Sequence, residues 1–291
     1  MKTLNNTEHN FASVSPSANA LLLLKGNTDI PYARQAAELI MQPEKYTPGY
    51  AQQSLGNCLR ILHFEARYRS IDQLLTGLPV KNILELSSGF SFRGLDIVQR
   101  HNVHYIDTDL PGIIAEKKKL VDAMQDRHAT VTGNLELLPL NALDEDAFAE
   151  AVNRFEQGAI AIVNEGLLMY LNMEEKEKLC VIIHNVLQQR GGCWITADIY
   201  TKMPGLSSIV KMDDELAHFL ERQHVEDNKF ERLEAAESFF KNCGFIIEQE
   251  ATIDNSKLDA IPFIKEKATR EQLEQLSKIG KINATWRLRV G

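Results

Sequence analysis

The segment Glu85-Leu86-Ser87-Ser88-Gly89-Phe90-Ser91-Phe92-Arg93-Gly94 joins a short apolar run, residues 82–86, to a stretch of helical spacing, residues 91–100. A second apolar run, 103–106, follows and leads into Asp107-Thr108-Asp109. A flexible turn after a first strand, with an acid about twenty residues on at the end of a second, is the general nucleotide-binding arrangement. The turn approaches the ligand, and the carboxylate accepts from ribose hydroxyls. What is missing narrows the ligand. A dinucleotide site wants G-x-G-x-x-G, whose third glycine lets the helix set its N-terminus on a pyrophosphate. Here those positions are Ser87, Gly89 and Phe92, and no GxxxxGK[ST] loop exists in the chain. A phenylalanine at the third place crowds a phosphate approach, so the turn suits an adenosine without phosphates.

On both sides of this segment the pattern alternates. Strands are predicted at 135–140, 159–163 and 193–197, and helices at 110–124 and 174–189. The helix at 174–189 carries an Asn172/Glu175 capping pair and stops at Gly191-Gly192. Strand and helix in alternation argue for a parallel, doubly wound sheet. Residues 201–242 interrupt it with mostly helical sequence, including an Asn228-x-x-Glu231 cap and a helix to Asn242 closed by Gly244. The end differs again: a strand at 245–252, a helix at 269–279 with a Thr269/Gln272 capping pair, and an alternating final strand at 284–290. Upstream of residue 80 the chain reads as helical, with helices at 33–41 and 51–75 after a polar start.

Composition restricts the function. Against 40 Asp+Glu stand 32 Lys+Arg, a formal charge of −8, which disfavours a partner with a phosphate backbone. With 44% hydrophobic and 25% charged residues the chain is an ordinary globular one. Cys58, Cys180, Cys193 and Cys243 form no CxxC pair and no zinc-type spacing, so reduced thiols in a cytoplasmic protein are expected, and no metal. The apolar run at 21–24 is far too short for a membrane span.

Five segments resemble the leucine carboxyl methyltransferase family of S-adenosylmethionine-dependent enzymes, which includes tetracenomycin-type polyketide O-methyltransferases. Ser15-Pro16-Ser17-Ala18 is similar to the family's S-x-T-A segment, and Arg67-Tyr68-Arg69-Ser70-Ile71-Asp72 to its R-x-R-x-x-D helix. Leu86-Ser87-Ser88-Gly89-Phe90-Ser91-Phe92-Arg93 stands where the family has L-G-A-G-L-D-T-R. Asp107-Thr108-Asp109-Leu110-Pro111, followed by the lysines at 117–119, is similar to its acid-x-D-x-P then Lys element. Asn164-Glu165-Gly166-Leu167-Leu168-Met169-Tyr170-Leu171 resembles A-E-G-x-x-x-Y-L, the most specific match of the five. Two departures stand out: Ser87 replaces the first glycine of the turn motif, and Ser91 its usual Asp.

The resemblance implies a role for each matching residue. Arg67, with Arg69 as rival, pairs with the methionine carboxylate of S-adenosylmethionine, a task suited to a guanidinium. Ser87 and Gly89 form the turn against the methionyl part, and Glu85 receives its ammonium directly or through water. Asp109 binds both ribose hydroxyls, with Asp107 structural. Asn141 and the backbone of Ala142 stand at the adenine edge, where the family has Asp-Leu, and Glu165 sits beside the cofactor. Tyr170 lines the cleft or packs within it. The base candidates for a hydroxyl acceptor are Tyr200 and Asp198, at the fifth strand's end, and His224 in the insertion, whose other contents, Met203, Met212, His218 and Phe219, identify no acceptor.

The expected architecture is α/β, a class I methyltransferase Rossmann-like doubly wound sheet of seven strands with the last antiparallel, in one domain spanning 1–291. An N-terminal helical cap (1–80) precedes the cofactor-binding core (81–200). A helical lid insertion (201–242) and C-terminal strands (243–291) complete it. The expected activity is O-methylation of a carboxylate or hydroxyl on a small-molecule acceptor, releasing S-adenosylhomocysteine, with neither nucleic acid nor membrane as partner and no feature that selects an oligomeric state. The alternatives are a catalytically silent relative that keeps the fold and, further off, a nicotinamide-dependent oxidoreductase.

Overall fold

The computed structural model describes residues 15–125, 131–202, 215–278 and 280–291. Met203, Met212 and the end of the helix predicted at 269–279 lie outside the described residues.

Seven strands pair into one sheet: β1 (Asn82–Leu86), β2 (His104–Asp109), β3 (Asn134–Pro139), β4 (Ile160–Asn164), β5 (Gly192–Tyr200), β6 (Phe245–Glu250) and β7 (Asn283–Val290). Their order is β3-β2-β1-β4-β5-β7-β6. The first five run parallel, and β7 is antiparallel to both β5 and β6. This is the class I methyltransferase arrangement that the resemblance implies, with the parallel core that the alternation predicts. Every residue of β1 and of β4 is buried, as in strands covered on both faces.

The period-two pattern sends alternate side chains to two helical layers. Leu84, Leu86, Ile160, Ile162, Trp194 and Trp286 pack with α6 (Glu145–Val152), α7 (Met173–Arg190) and α9 (Leu233–Asn242). Ile83, Ala161, Val163 and Ile195 face α3 (Leu55–Leu75) and α4 (Arg93–Arg100). A further cluster joins α1 (Ser15–Lys25), α2 (Ala33–Ile40) and α5 (Pro111–Met124) to Phe90, Phe92 and Leu95. The N-terminal helices are therefore seated against the turn that follows β1. Phe92, 1% exposed, fills this cluster.

Helix boundaries follow local chemistry. Helix α3 starts later than the apolar pattern because a 3-10 turn, Tyr50–Gln52, precedes Ser54, whose hydroxyl accepts the Asn57 N–H at 3.1 Å. The Asn172/Glu175 box forms in both directions. The Asn228/Glu231 cap does not. Asn228 donates instead to the Met169 carbonyl at 3.2 Å, Glu231 takes Lys202 at 2.6 Å, and α9 starts from Arg232 without a side-chain cap. Helix α9, expected in the insertion, lies in the sheet's core: Phe239 and Phe240 pack with Trp194 and Trp286. From the rest of that insertion α8 (Glu215–Arg222) sets Phe219 edge-on to Tyr170, centroids 6.5 Å apart. Near the end, a short α10 (Ile261–Lys267) precedes α11 (Arg270–Lys278), which the Thr269/Gln272 pair caps reciprocally. The four cysteines are free thiols. Among the described residues no helix is long and apolar enough to cross a membrane.

The sheet's tightest approach is at Gly192, where φ is 108° and an added Cβ would lie 2.0 Å from the Ile160 carbonyl oxygen. Both partners are backbone, so neither can yield. Gly192→Ala is expected to lower the unfolding free energy by roughly 3 kcal/mol, read from urea melts; a loss under about 1 kcal/mol would mean that β4 and β5 can separate locally.

Candidate functional site

Strand order turns back on itself between β1 and β4, so the chain leaves their carboxyl ends in opposite directions and opens a crevice there. On one side lies the turn after β1. Ser87 has φ 49° and Gly89 φ 50°, both left-handed. Ser88 N–H donates to the Thr108 carbonyl and Ser91 N–H to the Ser88 carbonyl, each at 2.9 Å. Asp109 closes the turn from β2: Oδ2 accepts the Gly89 N–H and Oδ1 the Leu110 N–H, both at 2.7 Å. Burial raises its pKa, and those two amides work against the shift. An added Cβ at Gly89 would meet no atom within 4 Å, so the turn faces open space. Beneath it Lys117, fully buried, bridges Ser88 Oγ and Asp107 Oδ2, each at 2.9 Å. Burial pushes the Asp107 carboxyl up to about 7 despite that ammonium.

Glu165 stands on the other side, just past β4. Lys25 Nζ lies 2.6 Å from its Oε1, Arg67 Nε 3.2 Å from the same oxygen, and an Arg93 terminal nitrogen 3.2 Å from Oε2. Burial alone would raise the Glu165 pKa; the three cations outweigh it and hold the carboxyl well below the usual range. Burial lowers the pKa of Lys25. Arg93 is neutralised further back, by Glu85 at 2.7 Å and Asp72 at 2.9 Å, and Tyr105 donates its hydroxyl to Glu85 at 2.5 Å. Glu85 is 0% exposed, locked in this pair behind the crevice. Lys25 and Arg67, by contrast, have the Glu165 carboxylate as their one salt-bridge partner among the described residues.

Arg67 also donates to the Tyr200 hydroxyl at 3.0 Å, and His63 Nε2 lies 3.0 Å from the same oxygen. Burial carries the Tyr200 phenol to about 12, against the pull of Arg67. Burial and the nearby Arg67 bring His63 down to about 3. Asp198 accepts from Asn164 Nδ2 (2.6 Å) and from the amides of Gly166 (2.6 Å), Leu167 (2.7 Å) and Leu168 (3.1 Å), so its carboxylate is spent holding the turn that presents Glu165. Arg69 turns the other way, to Asp29.

Of the residues expected here, Arg67, Glu165 and Tyr200 meet directly. Ser87, Gly89 and Asp109 form the opposite turn, and Glu85 joins through Arg93. Ala142 is buried beside the Leu140–Asp109 backbone bond (2.8 Å), while Asn141 is exposed and its Oδ1 accepts the Leu143 N–H at 3.1 Å. Tyr170 packs on Phe219. His224 is at the surface, on a left-handed residue (φ 52°) with Nδ1 3.3 Å from Asp227. Lys25, His63 and the ion-pairing role of Arg93 escape the sequence reading. A lysine closing an apolar helix looks like a helix end, and His63 sits in the α3 apolar stripe. Arg93 had a usable signal: R-x-R-x-x-D and the turn motif carry the Asp72 and Arg93 that pair.

No protein-family profile matches the chain, and no curated protein matches it in sequence. Similar solved structures include an O-methyltransferase family protein from Burkholderia thailandensis, at 12% identity over 83% of this chain and 61% of that one, TM-score 0.49. The chain thus spans about three fifths of that protein's length. Magnesium protoporphyrin IX methyltransferase from Synechocystis PCC 6803, solved with bound SAH, is similar at 9% identity over 89% of this chain and 95% of that one, TM-score 0.49. The mitomycin 7-O-methyltransferase is similar at 8% identity over 95% and 67%, TM-score 0.48.

Two outcomes follow from the geometry. Ser87 adopts a backbone conformation that costs an L-residue about 1–2 kcal/mol, only partly offset by the flexibility glycine adds to the unfolded chain. Ser87→Gly is therefore expected to raise the melting free energy by about 0.5–1 kcal/mol, and a destabilised variant would mean that the serine hydroxyl holds the turn. Glu165, with its pKa depressed, adds stability that is fully present above its unfolded value of about 4.3 and is lost as pH falls below it. Glu165→Gln is expected to cost roughly 3 kcal/mol at pH 7 by stranding buried cations, and to flatten the acid side of the stability profile below about pH 4; urea melts across pH test both.

Proposed function

We propose that the protein is an S-adenosylmethionine-dependent O-methyltransferase of the leucine carboxyl methyltransferase type, acting on the carboxylate of a small molecule. The observation that carries this reading is the convergence of Lys25 and Arg67 on Glu165, across the crevice from a left-handed turn and an anchored acid. That set fits both ends of a zwitterionic amino-acid adenosine. Two cations sharing one carboxylate accept a second, the ligand's own, and Arg67 does so with a planar fork. Glu165 offers the opposite charge to its ammonium. Gly89, open on its Cβ side, lets the chain approach closely. Each Asp109 oxygen, fixed by one backbone amide, keeps lone pairs for the ribose diol. Asn141 and Ala142, joined to Asp109 through Leu140, stand at the adenine edge; Asn141 Oδ1 has a second lone pair for the amino group.

When bound, S-adenosylmethionine supplies a methyl carbon made electrophilic by a sulfonium. What remains for the protein is alignment and exclusion of water. The acceptor's chemistry is narrowed by the groups beside Arg67. A hydroxyl acceptor wants a base with a pKa near the working pH. His63, at about 3, is too weak a base, and Tyr200, at about 12, stays protonated. A carboxylate arrives ionised and needs neither. Both side chains then serve as hydrogen-bonding groups at the acceptor's end of the crevice.

Calorimetry with S-adenosylhomocysteine tests the cofactor. Asp109→Ala, with its fold checked by circular dichroism, is expected to bind at least about 100-fold more weakly, since two hydrogen bonds to a charged acceptor are lost. No binding by the parent protein at millimolar concentration overturns the reading. Labelled methyl transferred to carboxylates is expected to be released as methanol in alkali; alkali-stable label would mean hydroxyl methylation, and binding without transfer to any acceptor a silent relative.

A further inference from the structure

Behind the cap, on the side of α3 away from Glu165, three carboxylates meet. Asp29 lies in the loop after α1, Glu65 on α3 two residues before Arg67, and Asp259 just before α10. One oxygen from each lies within 4.8 Å of the others. Glu65 is 2% exposed, so solvent does not dilute the repulsion. The backbone ties the three together: Asp259 N–H donates to Glu65 Oε2 and Asp29 N–H to Asp259 Oδ2, both at 3.0 Å. Arg69 pairs with Asp29. Three carboxylates face one guanidinium, so the cluster is short of positive charge.

A second observation points into the cluster. Tyr50 is 8% exposed, its ring stacked on Phe263 at 4.3 Å, and its buried hydroxyl has no hydrogen-bond partner among the described residues. A buried polar group without a partner is rare and asks for an explanation. Tyr50 lies in one packed cluster with Ile61, one turn before Glu65 on α3, and with Ala260, next to Asp259, and after burial itself Glu65 and Asp259 are the groups that most raise the phenol's pKa. A buried hydroxyl beside these acids, bonded to none of them, is available as a further donor to something they share.

We infer that Asp29, Glu65, Asp259 and the Tyr50 hydroxyl form a site for a hard divalent cation of calcium's size. All the donors are oxygens, which selects a hard cation over a soft transition metal. Calcium takes about six to eight oxygen ligands in flexible geometry, whereas magnesium demands a near-ideal octahedron and usually keeps several waters with one or two carboxylates. Three carboxylates supplied by the chain at one place suit the larger ion. A divalent ion supplies the positive charge that the cluster lacks. The ion joins the loop that follows Lys25, the helix that carries Arg67 and the segment before α10, so it braces the cap from outside the crevice.

The test uses the full chain stripped with EDTA and titrated calorimetrically with calcium chloride, alongside terbium luminescence excited through tyrosine. One saturable site per chain is expected, with a melting temperature about 5 °C higher at a hundredfold excess over Kd. Asp29→Asn and Asp259→Asn, both at the less buried edge of the cluster, are each expected to weaken calcium binding at least about tenfold, and Tyr50→Phe to weaken it and dim the terbium signal. Absence of binding at 5 mM calcium (about the top of the range for extracellular calcium modules), or binding unchanged in both aspartate variants, overturns the inference. Metal binding is read without methyl donor, so neither result bears on the proposed activity.

Discussion

Most of the site depends on one buried carboxylate. Glu165 is covered to the point where its charge would be prohibitively costly alone, yet Lys25, Arg67 and Arg93 reach it from three different elements. Removing water strengthens each of these attractions and makes each partner indispensable to the others. Helix α1, helix α3 and the turn after β1 are thereby fixed around one point at the rim of the sheet. Behind it, Asp198 gathers three backbone amides and an asparagine, so the turn carrying Glu165 is itself rigid. The carboxylate that organises the cap is also what holds Lys25 and Arg67 together at the crevice.

The opposite wall is built by different means. Among the described residues no cation forms a salt bridge with Asp109; two peptide amides orient it, and the left-handed residues at 87 and 89 shape the turn that aims the first of them, that of Gly89. Serine at 87 tolerates a conformation that glycine would take freely, and Lys117 props the neighbouring Ser88 from below. A strained turn held at both ends keeps its shape without a ligand. One wall of the crevice is therefore set by ion pairs and the other by backbone geometry, and the two respond differently to pH and salt.

How much of this the sequence reveals depends on how local the cause is. Capping boxes need only a few consecutive residues, and those at Asn172 and Thr269 are read correctly. Asn228 fits the same pattern but finds a better partner in Met169, some sixty residues away in sequence, which no local rule anticipates. The parallel sheet follows from alternation, and the residues gathered at the crevice from motifs at strand ends. Lys25 is legible only as a helix-ending lysine, because its partner is 140 residues distant. Glu85 reads as a free strand-end acid until Arg93 and Tyr105 are seen to claim it. The pairing of Asp72 with Arg93 lay within reach, since both stand in motifs that were already picked out.

The crevice is complete only when the cap is docked. Lys25 and Arg67 belong to the cap, whereas Glu165, Gly89 and Asp109 belong to the sheet, so a ligand that engages both sets binds the docked state and not the undocked one. By linkage, every gain in ligand affinity from those two cations is an equal gain in cap docking. The same holds for whatever steadies the cap elsewhere. The acidic cluster at Asp29, Glu65 and Asp259 lies two residues from Arg67 along α3 and four from Lys25 along the chain. Relief of repulsion there and occupation of the crevice act on one equilibrium from opposite sides of one helix.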